Sequence, residues 1–360
     1  QCLTASGAQQ SHAEAVARVL VEADLRAVYS HGINRLKMYV DECKTGTVAV
    51  DAEPAVERER GATAVVDGNN CLGAVVGEFA MRVAIAKAKE NGIGWVLAKN
   101  SNHYGIAGHY AMMALREDFI GMSWTNTSPI VVPTRAKNPA LGTNPIALAA
   151  PTARAAPFVL DMATSAVALG KVEVVNRRGE DLPLGWAVGR DGHPTTDAAA
   201  AIQSSTTGEG GLSPLGGMDS GYKGYGLAML VEVLGGVLGD ANYGRKIRTW
   251  QSPLKDANAN SKKNDADAEE DAGGANLGQA FIVVDPAVFG PGFPTRMDDF
   301  IEQMHTLPSG LGLPRVMVPG DPERNAYAEQ QQHGIRLHDS LIDNLNALSE
   351  ECALDEIKAT

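Results

Sequence analysis

Aromatic residues make up only 5% of this 360-residue chain, and cysteine is scarcer still. Cys2, Cys43, Cys71 and Cys352 stand far apart with no C-x-x-C spacing, which argues against a zinc site or a disulfide framework and for reduced thiols. No apolar run reaches the ~18 residues of a membrane helix, so no membrane partner is expected. No charged segment leads into an apolar one at the start. The sequence begins at Gln1 rather than Met, which leaves room for a leader ahead of it, and cytoplasmic is the default expectation. Lys and Arg (31) are outnumbered by Asp and Glu (43), and the formal charge of −12 argues against a nucleic-acid partner, because no basic field offsets phosphate repulsion. There is no G-x-G-x-x-G between strand and helix: Gly92-Ile93-Gly94 runs into Trp95-Val96-Leu97 inside a strand pattern. There is also no P-loop and no H-E-x-x-H zinc motif, and no metal is expected.

What is present is an ordinary apolar fraction (44%) and 39 glycines, enough for one large or two ordinary domains. Ser11-His12-Ala13-Glu14 reads as a capping box opening a helix with Val16, Val19, Leu20 and Ala23 on one side. A second helix is expected from near Ser30 to Thr45, closed by Gly46. Val65-Val66-Asp67-Gly68-Asn69-Asn70 reads as a turn-rich edge. Helices at about 73–90, 105–117 and 223–239 then alternate with strands at 93–98, 120–125, 158–161 and 281–284. The stretch 252–276 lacks apolar side chains and reads as a mobile surface insertion. Helices return at about 296–306 and 339–352. The fold class is therefore α/β, with a discontinuous helical domain from both termini (1–66 plus 295–360) around an α/β domain (67–294).

The chemistry concentrates in two segments, Tyr29-Ser30-His31-Gly32-Ile33-Asn34-Arg35 and Asn100-Ser101-Asn102-His103-Tyr104-Gly105. On a helix, His31 and Arg35 share a face, placing a group that exchanges protons near neutral pH beside a fork that clamps carboxylates. The bland alternative is an exposed pair behind a capping Ser30. A Ser30–His31 nucleophile pair is disfavoured, because neighbours on a helix diverge by about 100° and no acidic orienter is evident. His103 ends a strand, where α/β sheets place ligands. His109 reads as structural, and His12, His193, His305, His333 and His338 as surface residues. Asp161-Met162-Ala163 follows a strand, as an N-cap or a cofactor contact. Lys223, between glycines in Gly221-Tyr222-Lys223-Gly224-Tyr225-Gly226, is suited to a phosphate or is merely part of a loop. Val318-Pro319-Gly320-Asp321-Pro322-Glu323 is a turn in any reading.

In order, the Ser30-His31-Gly32…Arg35 element, Asn102-His103-Tyr104-Gly105, Gly142-Thr143-Asn144-Pro145, Asp161-Met162-Ala163, Lys223-Gly224-Tyr225-Gly226 and Pro319-Gly320-Asp321 resemble the malate/L-lactate dehydrogenase family, which lacks the Rossmann fold. The resemblance runs through most of the chain. It implies a mixed-sheet, non-Rossmann cofactor domain and a homodimer whose interface helps form the site. It also implies NAD or NADP as hydride carrier, with NADH favoured. Carried onto this chain, it makes His103, His31 and Ser30 catalytic and gives Arg35 the substrate carboxylate. Thr127, Asp161, Met162, Ala163, Lys223, Pro319, Gly320 and Asp321 contact the cofactor. The expected reaction is reversible hydride transfer at C2 of a small 2-hydroxy or 2-keto acid of malate/oxaloacetate type. In the cyclic-imine-reducing branch a residue like His31 is the acid/base, aided by a serine like Ser30 and an aspartate ten positions after the Asp-Met-Ala start. Lys171 stands at that place here and cannot act as an aspartate would. The alternatives are such an imine reductase, a catalytically idle nucleotide-binding paralogue and, more distantly, a hydrolase using Ser30.

Overall fold

In the computed structural model, which describes residues 1–249, 274–310 and 312–355, a mixed sheet lies between two layers of helices. The strands are β1 (Ala55–Arg60), β2 (Thr63–Asp67), β3 (Ile93–Ser101), β4 (Ile120–Thr125), β5 (Ile146–Ala150), β6 (Phe158–Met162), β7 (Ala187–Val188), β8 (Pro194–Thr195), β9 (Gly211–Leu212) and β10 (Leu277–Val284). Seven form one sheet in the order β1-β2-β3-β10-β4-β5-β6, and β8-β7-β9 form a small second sheet. Within the large sheet β2 and β3 run parallel, and the other neighbours are antiparallel. This is the expected α/β class with a mixed sheet, and its largely antiparallel order is unlike a doubly wound nucleotide-binding sheet.

The α-helices are α1 (Cys2–Ala5), α2 (Gln10–Leu25), α3 (Leu36–Thr45), α4 (Gly73–Asn91), α5 (Ala107–Met113), α6 (Leu169–Arg178), α7 (Ala198–Thr207), α8 (Gly217–Val231), α9 (Phe293–His305), α10 (Asp321–His333) and α11 (Asp339–Glu351). Gly46 (φ 71°) and Gly92 (φ 77°) end α3 and α4 in the left-handed conformation, as read. The capping box does not form: α2 starts at Gln10 behind Gln9, and Ser11 lies inside its first turn. The helix expected at 223–239 begins earlier, as α8, and continues as a π-helical turn over Glu232–Val237. α10 occupies what reads as a turn plus a polar stretch, because its Asp-Pro-Glu-Arg-Asn start carries no apolar stripe. His12 is buried rather than superficial, with ring nitrogens 3.3 Å from the Val50 carbonyl and 3.1 Å from Glu53. His305 is also tied down, 2.8 Å from Asp321.

Residues 55–66, grouped with the helical end by sequence, carry β1 and nearly all of β2 of the sheet. Every β1 residue is exposed, so Ala-Val-Glu-Arg-Glu-Arg shows no alternation to read, whereas β2 alternates. Of the expected insertion, 252–273 lie outside the described residues. Leu3 and Leu20 near one end and Leu348 near the other share one core with Val66, Val96 and Phe281. Among the described residues no helix is long and apolar enough to cross a membrane, and no cluster of three His, Cys, Asp or Glu is arranged for a metal.

Glycine sets the distance between layers. A Cβ on Gly94 of β3 would lie 2.0 Å from the Ala84 carbonyl oxygen of α4, and one on Gly121 of β4 would lie 2.2 Å from the Ala111 carbonyl oxygen of α5. On the opposite face, a Cβ on Gly278 of β10 would come within 2.5 Å of Gly236 in the π turn. Helix and sheet backbones thus touch without intervening side chains. Gly94→Ala should destabilise the fold by about 1–3 kcal/mol through this overpacking. Urea unfolding would show it as a lower midpoint at unchanged slope.

Candidate active site

A cavity of about 310 Å³ opens where β3 ends, where α2 gives way to α3, and beside β6. Its wall includes Ser30, His31, Arg35, His103, Thr127, Asp161, Met162 and Ala163, so eight of the twelve residues selected from the sequence meet there. The helix expected to carry His31 and Arg35 does not form over that stretch. The chain instead makes two 3-10 turns, Tyr29–His31 and Ile33–Arg35, separated by Gly32 in an extended conformation. Although Ser30 and His31 adjoin within the first of these turns, the serine side chain folds back along the chain, and Ser30 Oγ lies 2.9 Å from His31 Nδ1. Arg35 Nε donates back to the Ser30 carbonyl at 2.7 Å, closing the segment on itself.

His103 comes from beyond β3 to stack on His31, with ring centroids 5.7 Å apart and planes 15° from parallel. Tyr39, buried on α3, places its hydroxyl 2.6 Å from His103 Nδ1, and the Gly105 N–H points at the same nitrogen from 3.4 Å. A backbone N–H can only donate, so Nδ1 is the acceptor and the proton of the neutral ring sits on Nε2. Tyr39 itself keeps its proton, because burial pushes its ionisation far up. Burial holds His31 down to about 4, helped by the charge of Arg35. His103 is lowered too, by burial first, then by His31 and Arg35. The site is thus a pair of neutral, stacked imidazoles beside a permanent cation.

Tyr39 was missed by sequence reasoning. The available signal was its place four residues after Arg35, which puts it on the same side of the chain at the start of a helix.

Across the cavity, Asp161 on β6 accepts the Gly108 N–H at 2.8 Å. Its side chain is reached from the cleft, yet the protein packed around it pushes its pKa up to about 6. Thr127 sits in a built wall. Its N–H donates to Asn144 Oδ1 and its Oγ1 accepts the Thr143 N–H, both at 3.1 Å, and a Cβ on Gly142 would stand 2.0 Å from that Oγ1. Asn144 and Asn126 each donate at 3.0 Å to Glu232, which stands at the head of a π turn that no sequence pattern marks.

Four selected residues do not line the cavity. Lys223 is exposed on α8, its ammonium 5.9 Å from the Tyr222 ring. Pro319 and Gly320 pack on β6: the Pro319 carbonyl accepts from Val159 N–H at 3.3 Å, and a Cβ on Gly320 would come 3.1 Å from that nitrogen. Asp321 is buried, its carboxylate engaged by His305 (2.8 Å), Arg324 (2.6 Å) and the Val318 N–H (3.1 Å). The turn therefore braces the strand that carries Asp161 and Met162. Lys171, at the start of α6, is exposed, while its neighbour Gly170 lines the cavity.

Residues 1–346 match the family described as Malate/L-lactate dehydrogenase. The chain is 40% identical to the malate dehydrogenase of Pyrococcus horikoshii over 358 residues, 98% of this chain and 92% of that protein. It is 33% identical to the Δ1-pyrroline-2-carboxylate reductase of Ancylobacter novellus, covering 96% and 93%. The crystal structure of malate dehydrogenase from Entamoeba histolytica superposes with a TM-score of 0.88 at 31% identity, covering 98% and 95%. The chain belongs to the malate/L-lactate dehydrogenase family and is a dehydrogenase, which implies a nicotinamide cofactor.

The cavity fits such a group. Threonine hydroxyls at 125, 127 and 143, the glycine backbone at 105, 108 and 170, and the Asp161 carboxylate offer the mixed donors and acceptors that a carboxamide and ribose hydroxyls need.

The electrostatics can be checked without substrate. His31 should show no ring titration between pH 5.5 and 8 by NMR, because its pKa lies near 4. Arg35→Met should raise that pKa by removing a like charge, yet leave it below the ordinary value, since burial is the larger cause.

Proposed function

We propose that the protein interconverts a small 2-hydroxy acid and its 2-keto acid, malate and oxaloacetate being the favoured pair, with NADH favoured over NADPH. The stack of His31 on His103 within reach of Arg35 carries the reading. Bound in this cavity, the nicotinamide supplies or accepts the hydride at C2 of the acid. Arg35 takes the C1 carboxylate in a charge-assisted clamp and so fixes which face of C2 is presented. For reduction His103 takes a proton from solvent to become the imidazolium, gives its Nε2 proton to the nascent alkoxide and returns to the neutral ring, its remaining proton on Nδ1 toward Tyr39. In oxidation that neutral ring accepts the hydroxyl proton at Nε2. Its lowered basicity makes the imidazolium a transient to be refilled from solvent rather than a resting state. His31, in contact with Ser30, orients the carbonyl. Thr127, Asp161, Met162 and Ala163 hold the cofactor directly. Pro319, Gly320 and Asp321 support β6 beneath it, and Lys223 is assigned to its phosphates.

Exposed Lys171 in place of an aspartate favours the keto acid over the cyclic imine, despite the reductase among the relatives. Met218, Tyr222, Leu230, Val233 and Val237 form an exposed apolar face along α8 and the π turn. We assign this face to a homodimer contact of the size that such patches mark. Localisation is assigned to the cytoplasm.

Absorbance at 340 nm with NADH and then NADPH, against oxaloacetate, pyruvate and a cyclic imino acid, tests the reading. Oxidation with oxaloacetate is expected, and turnover of the imine alone would move the protein to the reductase branch. His103→Ala should lower kcat by about 10²–10⁴-fold while cofactor affinity holds. Arg35→Met should raise KM for the acid by about 10²-fold, as for loss of one partner of a close charge pair. Sedimentation should give a dimer, and a monomer with full activity would remove the α8 assignment.

A further inference from the structure

Asp24 has no part in the chemistry above, and its location is costly. It is 3% exposed, no ion pair to it exists among the described residues, and burial pushes its pKa up to about 6. It also stands in the last turn of α2, the end of a helix that disfavours negative charge. After α2 the chain reverses through Ala27, whose φ is +59°, and returns across this carboxylate. Asp24 Oδ2 accepts the Ile33 N–H at 2.7 Å, the first amide of the turn that ends in Arg35. Gly32 passes so close that a Cβ there would lie 1.7 Å from Asp24 Oδ1. The carboxylate thus backs two of the three residues that join His31 to Arg35, yet does not line the cavity.

We infer that Asp24 is a positioning residue that fixes His31 and Arg35 relative to one another, through the Ile33 amide and the Gly32 backbone, so that clamp and imidazole face one substrate. The inference rests on the substrate reading given above. The amides of a 3-10 turn this short have few intrahelical partners, and a single outside acceptor decides where the turn sits. A polar group buried at such cost stays only if its hydrogen bond is made. Gly32 follows from the same contact: any larger residue there drives the segment off the carboxylate.

Asp24→Ala and Asp24→Asn in the full-length protein separate acceptor geometry from mere packing. Asp24→Ala should raise KM for oxaloacetate by about tenfold or more, the scale of a displaced clamp, with NADH affinity by fluorescence titration unchanged. Asp24→Asn keeps an acceptor and should restore KM. By NMR, the His31 ring signal should move in Asp24→Ala, from loss of the His103 stack, and return in Asp24→Asn. Wild-type KM together with an unmoved His31 signal in Asp24→Ala would overturn the inference. So would a parallel loss of NADH binding in both variants, which would make Asp24 part of the general fold. If Asp24→Ala does not fold, Gly32→Ala displaces the same backbone and should give the same split. If the wild type turns over none of the acids, the substrate reading fails, and the His31 signal alone still decides the role of Asp24.

Discussion

A buried glutamine amide holds the end of β3 in place. Gln279 on β10 is fully buried, accepts from Ser101 Oγ at 2.9 Å and donates to the Asn102 carbonyl at 3.0 Å. Asn102 in turn donates to the carbonyls of Asn70 and Cys71, and Gly73 at the head of α4 lies against the Asn102 carbonyl so tightly that a Cβ would come within 2.2 Å. Two segments remote in sequence, β10 and residues 70–73, converge on the residue just before His103. An unmade hydrogen bond in such a place costs on the order of a few kcal/mol, so the strand end has one position. The antiparallel arrival of β10 between β3 and β4 is what makes this possible: it brings a side chain from late in the chain to the point where the chain leaves the sheet.

What the framework delivers to the cavity is a pair of neutral imidazoles beside the fixed cation of Arg35. Both imidazoles are buried enough to stay neutral, and the nearby guanidinium reinforces that. A neutral donor beside a fixed cation suits a reaction in which negative charge grows on an oxygen, because neither group must be discharged first. Tyr39 contributes by holding His103 Nδ1 from a hydroxyl that does not ionise, while the Gly105 N–H fixes which nitrogen accepts.

The sequence was most legible where one side chain dominates its surroundings. The helices of 73–91 and 36–45, closed by Gly92 and Gly46, and the strands at 93–101, 120–125 and 158–162 all carry strong periodicity or a defined stop. β1 was unreadable because it is solvated throughout, and α10 because it is polar throughout. At the candidate site the residue types were visible, but their geometry was not. Gly32 breaks the helix that spacing alone would continue and splits the segment into two short turns. Contacts such as Gln279 with Asn102, 177 residues apart, leave no local trace.

The wall around Thr127 follows a different physical logic from a phosphate-binding loop at a helix N-terminus. Glu232 is a nearly buried carboxylate whose neighbours are amides: Asn126, Asn144 and the Gly244 N–H. Burial raises its pKa and the three donors oppose that rise. A π turn is a poor element to keep for stability alone, since its hydrogen bonding is strained and its occurrence rare. Here it directs Glu232 beneath two asparagines, one of which, Asn144, adopts a positive φ of 38° to offer its oxygen to Thr127. Strain in the turn, strain at Asn144 and a buried carboxylate would each be selected against in a wall that merely closed the fold. Their concentration behind one cavity-facing threonine argues that the position of Thr127 is what they maintain.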